Sequence, residues 1–529
     1  MSVPDIAEIS RSAALSLYGL CQTGLVVYSA HRWPMLGSAP CPPAEREPWW
    51  PAGREPRVLV QLPVCAEPEV VERLVEAAAA LDWPSDRLEI QLLDDSDEAV
   101  ARIGARAVER ARASGADARQ IRRPHRDGFK AGALAAGHAE SEAEFVAVFD
   151  ADFLPAPDFL RRTLPSFADP GVGLVQARWG HLNRDANALT RAQAAMLDAH
   201  FLLEHAWRQR RGRFLSFNGT AGVWRRTCID AAGGWSSDTL TEDLDLSYRA
   251  QLAGWRFVFL PDVVVPGELP ESMPAFRSQQ HRWAKGALQT ARKLLPRIAA
   301  ARLPWATKLE AFVHLTIYVS YPLMLAMALL LVPLVVGRFA LSFAWMPLLQ
   351  LASFAAGTVP VALFLALGQR RAGRRGGRLA LDTGAALVLC SGLCWHLARA
   401  VGEGVGGSRG EFVRTPKSGA RGSLSALRAP PGRRPSGAAP GEGLPERVLA
   451  AALTLLAAFA LVSGGAAAVP FLLALVVGLA WVGGGTRARV VASAPAPARP
   501  YSRTIFGERF PASALRVSTT ILDQSSTES

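Results

Sequence analysis

The chain has 529 residues, half of them apolar and 20% charged, with a formal net charge of +12 and a mean hydropathy of +0.15. Such a composition excludes a disordered chain, which needs low hydrophobicity, and at roughly 150 residues per domain it suggests about three or four units. The apolar content is concentrated rather than spread. Residues 339–368 and 448–485 carry no charge, and 311–337 carry only His314. Runs of that length are long enough to cross a bilayer, so an ordinary soluble enzyme is excluded and a multi-pass integral membrane protein is expected. The positive charge does not indicate nucleic acid. Arg370, Arg371, Arg374, Arg375 and Arg378 gather beside apolar segments, where the positive-inside rule predicts them, and no basic groove interleaved with aromatics is present. The six cysteines are scattered without metal-ligand spacing, so neither a disulfide framework nor a zinc site is expected.

In chain order, residues 12–30 are uncharged and read as a transmembrane helix rather than a signal peptide, because no small-residue cleavage site comes after them. Residues 31–56, rich in Pro and Trp, read as a linker. From 57 to 296 short apolar runs at 58–64, 88–93, 145–149 and 173–177 alternate with helical stretches such as 69–81 and 97–113. That pattern predicts a Rossmann-type α/β domain with a mostly parallel sheet covered on both faces. Transmembrane helices two and three are expected within 297–368, and helices four and five within 447–484. Residues 379–402 are also apolar, but basic residues flank them on both sides. If both ends are cytoplasmic the segment cannot cross, so an interfacial or re-entrant helix is expected, with 369–422 forming that helix and a loop. This arrangement puts the α/β domain in the cytoplasm. Residues 423–446 read as a Gly/Pro/Arg-rich linker and 485–529 as a disordered tail. No fused nucleotide sensor is expected after the last span.

Ligands of open α/β sheets bind at the carboxyl ends of the strands, which directs attention to acidic residues there. Asp94 and Asp95 end the run 88–93. They suit hydrogen bonding to a nucleoside and equally suit a turn and helix cap. Asp150 and Asp152 come after a second buried run in D-x-D spacing, the oxygen donors that hard Mg²⁺ or Mn²⁺ takes together with substrate phosphates. Asp243, within Thr241-Glu242-Asp243, opens a helix. It reads as a general base for an acceptor hydroxyl or as an acid favoured by the helix dipole. Gln279, Arg282 and Trp283 precede the next apolar run. Arg282 suits a diphosphate oxygen and Trp283 a sugar ring or a membrane interface.

Taken in order, LLDDSDE (92–98), GFKAGAL (128–134), FDADF (149–153), QARWGHLN (176–183), FNGTAGVW (217–224), TEDLDL (241–246), QQHRW (279–283) and FVRTPK (412–417) resemble the processive family 2 glycosyltransferases of the cellulose synthase superfamily. The resemblance is greatest to the cellulose synthase-like A branch of β-mannan and glucomannan synthases, and it covers about residues 57–422. It implies a GT-A-like domain inserted between transmembrane helices. It also implies nucleotide contacts for Asp94, Asp95 and Lys130, metal binding by Asp150 and Asp152, and Asp243 as catalytic base. Gln279, Arg282 and Trp283 would bind the diphosphate and the acceptor end of the glycan. Phe412, Thr415 and Lys417 would belong to a gating loop over bound nucleotide sugar, with Arg414 standing where the family usually has Val.

The resemblance further implies inverting transfer from GDP-mannose, GDP-glucose or UDP-glucose to a growing β-linked polysaccharide, assisted by Mg²⁺ or Mn²⁺. Five spans are few to line a channel for such a product, which points to a homo-oligomer or to contributions from interfacial helices. Two other readings stay open from the sequence. One is a transferase acting on a lipid acceptor such as diacylglycerol, ceramide or polyprenyl phosphate. The other is a membrane protein that binds nucleotide sugar without turnover.

Overall fold

Alternation of apolar side chains gives the central strands two buried faces. The computed structural model describes residues 3–39, 47–51, 53–336, 346–407, 443–463 and 465–484, all within one unit. In β1 (Val58–Val64), Val58, Val60, Leu62 and Val64 join one apolar cluster while Leu59 joins another on the opposite face. In β4 (Phe145–Val148) the alternation repeats, with Phe145 and Ala147 on the first face and Val146 and Val148 on the second. Period-two patterning of this kind is what a pleated strand between two helical layers requires.

With β2 (Leu88–Asp94), β3 (Asp117–Ile121), β5 (Val172–His181), β6 (Gly222–Arg225) and β7 (Arg256–Gly267), these strands form one seven-stranded sheet in the order β3-β2-β1-β4-β6-β5-β7. The half from β3 to β4 is parallel. β6 runs antiparallel to both its neighbours, and β5 pairs with β7 in parallel. The sheet is therefore mixed. The antiparallel strand was not legible because Gly222-Val-Trp-Arg is four residues long and has only two aliphatic or aromatic side chains. The chain runs from β1 outward to β2 and β3, then returns to the other side of β1 for β4, so the carboxyl ends of β1 and β4 flank a topological switch point.

The Pro/Trp-rich stretch before the sheet contributes to the core. Trp50 is buried, its ring lies 5.5 Å from that of Trp83, and the Trp83 indole donates to the Pro56 carbonyl at 3.1 Å. Beyond the sheet a 28-residue helix, Met273–Ala300, starts from a Ser272 cap and runs through Pro296.

Among the described residues five helices are long and apolar enough to cross a membrane: Ser12–Leu36, Trp305–Val336, Pro347–Arg371, Leu444–Ser463 and Ala466–Gly484. The apolar stretch near 379–402 is a bent pair, Gly377–Gly392 and Cys394–Val405, broken by 52°. At the break Gly392 meets Gly478 of the last helix so closely that a Cβ on Gly392 would lie 2.1 Å from the Gly478 carbonyl oxygen. Close backbone approach at small residues is how helices associate in lipid, where no hydrophobic gain drives them together. An alanine at Gly478 would stand 2.3 Å from the Val388 carbonyl oxygen, whereas Gly357 has open space. Gly478→Ala is therefore expected to destabilise the detergent-solubilised protein by about 1–3 kcal/mol. Gly357→Ala is expected to leave it unchanged or slightly more stable, with thermal unfolding of the two variants as the measurement.

Candidate active site

The carboxyl ends of β1, β2 and β4 and the second half of β5 border a cleft of about 160 Å³. A bulge between Ala177 and Arg178 in β5 re-aims the remainder of that strand, so that Trp179, Gly180 and His181 also line the cleft. Its walls carry Asp95, Lys130, Asp150, Asp152, Glu242, Asp243 and Arg282. All three non-glycine residues with positive φ among those described lie beside it: Ala66 (φ 54), Phe129 (φ 50) and Ala221 (φ 57). Backbone strain of this kind persists where the surroundings over-determine the geometry. Here Phe129 directly precedes Lys130, and Ala221 comes just after Gly219 and Thr220.

The charges are organised around Lys130. Its ammonium bonds Asp150 Oδ1 at 2.5 Å and the Gly219 carbonyl at 2.8 Å, and it stands 3.7 Å from Glu242. Burial alone would lower the Lys130 pKa, but Asp150 and Glu242 outweigh it and raise it. The Asp150 main-chain N–H donates to the Thr220 hydroxyl at 2.9 Å, so the FNGTAGVW segment fixes the first carboxylate of the D-x-D pair. Asp243 sits at the start of the helix Glu242–Leu252. Burial first, then the neighbouring Glu242 charge, push its pKa up to about 7 against the opposing pull of Lys130 and Arg282. Arg282 feels Glu242, Asp150, Asp243 and Asp152 together, although burial lowers its pKa overall. A carboxyl poised near neutrality beside fixed cations is equipped to take a proton while negative charge develops nearby.

A second cavity of about 340 Å³ adjoins the cleft and runs between the α/β domain and the membrane-segment helices. Trp179, Asn218, Asp243, Gln279 and Trp283 border both spaces. Its wall includes His200 and Glu204, on a π-helical turn His200–His205, a feature often found at functional sites. His200 bonds Glu204 at 2.9 Å and Asn218 at 3.0 Å. The buried Arg208 guanidinium bonds Glu204 and, at 2.9 Å, Glu310 of the first helix after the domain.

Residues 56–286 match the model of the family described as "Glycosyltransferase like family 2". This segment belongs to the family 2 glycosyltransferases. Its sheet is the GT-A-like mixed α/β core that the motif order implies. Two plant proteins are similar to part of this chain. "Glucomannan 4-beta-mannosyltransferase 1" of Oryza sativa subsp. japonica is 46% identical over 248 residues, covering 46% of this chain and 48% of that protein. "Glucomannan 4-beta-mannosyltransferase 2" of Arabidopsis thaliana is 46% identical over 248 residues, covering 46% of each chain. The chain thus spans about half the length of these relatives. Among solved structures, the mannosyltransferase PcManGT from Pyrobaculum calidifontis, in complex with GDP-Man and Mn²⁺, aligns with a TM-score of 0.47 at 22% identity, over 75% of this chain and 98% of that one.

Within the transferase domain the structure brings Asp95, Lys130, Asp150, Asp152, Asp243, Gln279, Arg282 and Trp283 to one cleft. Asp94 stays behind its rim. Its carboxylate accepts from the Ser96 N–H at 2.9 Å and from Gln120 at 2.7 Å, the turn-forming arrangement that Asp favours. Asp95 is paired through both oxygens with Arg123, at 3.1 and 2.6 Å. Phe412, Thr415 and Lys417 lie outside the described residues.

Composition did not single out Glu242, Asn218, His181 or Trp179, although each sits inside one of the sequence motifs. His181 is held by the buried Asp198, which also takes the Arg184 guanidinium. That contact spans 17 positions and leaves no local signature. Gly219, at φ +83, packs directly against the charged groups. A Cβ there would stand 2.9 Å from Asp243 Oδ2 and 3.4 Å from Lys130 Nζ, whereas Gly212, at φ +59, faces open space. Gly219→Ala is expected to lose about 1–3 kcal/mol through backbone strain and also to displace Asp243. Gly212→Ala should show a backbone cost alone. Thermal unfolding, with binding of nucleoside diphosphate as a second readout, separates the two.

Proposed function

We propose that this chain is a membrane-bound inverting hexosyltransferase that moves a sugar from a nucleoside diphosphate onto a growing β-linked polysaccharide, with mannose the first sugar to test. The observation that carries this reading is the position of Asp243 on the boundary between the charged cleft and the larger cavity beside the membrane helices. A base at that boundary can serve a donor held on one side and an acceptor entering from the other. The aromatic rings of Trp179, Trp283, Tyr318 and Tyr321 and the polar His200 and Glu204 on the larger cavity's wall suit a hydroxyl-rich chain. The names of the plant relatives support mannosyl transfer and glucomannan as product class, with GDP-mannose, GDP-glucose and UDP-glucose as donors to compare.

The chemistry assigned to this chain's residues is a single displacement. Asp243 accepts the proton of the acceptor hydroxyl as that oxygen bonds to the anomeric carbon. The bond from that carbon to the diphosphate oxygen breaks, and the nucleoside diphosphate leaves. An α-linked donor then yields a β-linked product. Lys130 and Arg282 supply fixed positive charge where the leaving group becomes more negative, and Trp283 offers a face for the terminal sugar. Among the described residues no group of three or more His, Cys, Asp or Glu forms a metal cage. Asp150 and Asp152 on the cleft wall nevertheless fit a hard cation, which takes one or two carboxylates and completes its shell with water and substrate phosphates. Bound there, Mg²⁺ or Mn²⁺ would neutralise the diphosphate. Family resemblance alone assigns Phe412, Thr415 and Lys417 to a loop closing over the donor. The arginines flanking the apolar segments support a cytoplasmic transferase domain.

The test is sugar transfer by membranes containing the full chain, across labelled GDP-mannose, GDP-glucose and UDP-glucose. A polymer cleaved by a β-mannanase or β-glucanase supports the proposal. A product extracted into organic solvent moves the acceptor to a lipid, and no transfer from any donor ends the enzymatic reading. Asp243→Asn should lower transfer by about 10²- to 10⁴-fold while nucleotide binding persists. Because the base must be ionised and burial holds its pKa at about 7, transfer should fall as pH drops below neutrality, with Glu242, Lys130 and Arg282 as the charged groups that set the midpoint. Chelation by EDTA should abolish transfer and added Mn²⁺ or Mg²⁺ restore it. Full activity in EDTA would remove the metal from the scheme.

A further inference from the structure

The helix Met273–Ala300 has two functional faces. Gln279, Arg282 and Trp283 are turned to the cleft. Arg277, His281 and Lys285 recur every four residues, so they share a face roughly opposite to it. That second stripe is held by carboxylates of the membrane-segment helices. Lys285 Nζ lies 3.1 Å and His281 Nε2 3.3 Å from Glu403 Oε2, on the helix Cys394–Val405. Arg277 Nη2 lies 2.9 Å from Glu446 Oε1, on the helix Leu444–Ser463. His396 adds a further tie, with its Nε2 3.0 Å from the Arg277 carbonyl oxygen. Lys285, Arg277 and Glu446 are largely withdrawn from solvent, at 5%, 12% and 0% side-chain exposure, whereas Glu403 is 32% exposed and also takes Arg399 of its own helix at 3.3 Å. An apolar contact of Ala287, Leu288 and Val401 packs beside the ion pairs.

Buried pairs of this kind add little net stability over an apolar substitute, but removing one partner leaves the other charge stranded at high cost. Their effect is on geometry: they fix which way the helix is rotated and how deep it lies. We infer that Glu403 and Glu446 are positioning residues that clamp the outer stripe of this helix, so that the membrane-segment helices set the placement of Arg282 and Trp283 in the cleft. The effect on catalysis rests on the function proposed above. The clamp itself rests on the contacts alone.

A double-mutant cycle on the full chain in detergent tests it, using Glu403→Gln, Lys285→Met and the two combined. Hydrogen–deuterium exchange over residues 277–286 is read beside the initial transfer rate. Glu403→Gln strands the Lys285 ammonium, so exchange should rise about tenfold, and transfer should fall about tenfold to a hundredfold through misplacement of the site groups. The combined variant removes the stranded charge, so it should be no more impaired than Glu403→Gln alone, the non-additivity expected of a coupled pair, while transfer stays below that of the wild type because the clamp is gone. Unchanged exchange in Glu403→Gln, or a combined variant as impaired as the sum of the singles, overturns the clamp. Faster exchange with undiminished transfer overturns the positioning role. If the wild-type protein transfers no sugar from any donor, the proposed function fails, and the exchange measurements still decide the clamp.

Discussion

The carboxylates of Asp150, Asp152, Glu242 and Asp243 on the cleft wall repel one another, and the ammonium of Lys130 is the interaction that makes their proximity tolerable. It bonds Asp150, approaches Glu242, and acts on Asp243 against the burial that would keep that acid protonated. Arg282 adds a second cation that interacts with the same acids. In a site partly withdrawn from water these terms are larger than at an exposed surface, so the cleft is an electrostatic balance rather than a collection of independent groups. The strained backbone at Phe129 places the cation, and the open turn at Gly219 leaves room for it and for Asp243. Loss of either conformation would disturb every carboxylate at once.

The parts of the fold that were legible in the sequence are those with strong local periodicity. β1 spans the residues its apolar run indicated, and the helix 242–252 begins where the acidic cluster places a helix start. The long uncharged runs became helices of membrane-crossing length. What escaped was set by contacts distant along the chain. The antiparallel β6 depends on pairing with β4 and β5, and Trp50 depends on a partner, Trp83, far along the sequence. The apolar stretch beyond Arg378 bends next to Gly392, where the last helix presents Gly478, a contact that hydropathy does not encode.

The candidate site divides in the same way. Carboxylates at strand ends were visible because a chain reversal after a buried strand is a local event. Asp94 and Asp95 looked equivalent, yet one bonds Gln120 and the other pairs with Arg123 beside the cleft. Asp94 is the last residue of β2 and Asp95 the first beyond it, so the two sit in different backbone settings. Glu242 and Asn218 were hidden in plain view, since nothing in their neighbours along the chain announces that Lys130 or His200 will come to meet them.

The wall shared by the cleft and the larger cavity has an evolutionary consequence. Asp243, Gln279 and Trp283 each present atoms to both spaces, so no mutation at these positions can refine the fit of one substrate without touching the other. Diversification of such a protein toward new donors or new acceptors would have to proceed through residues that border a single compartment. These shared residues would then be the slowest part of the site to change.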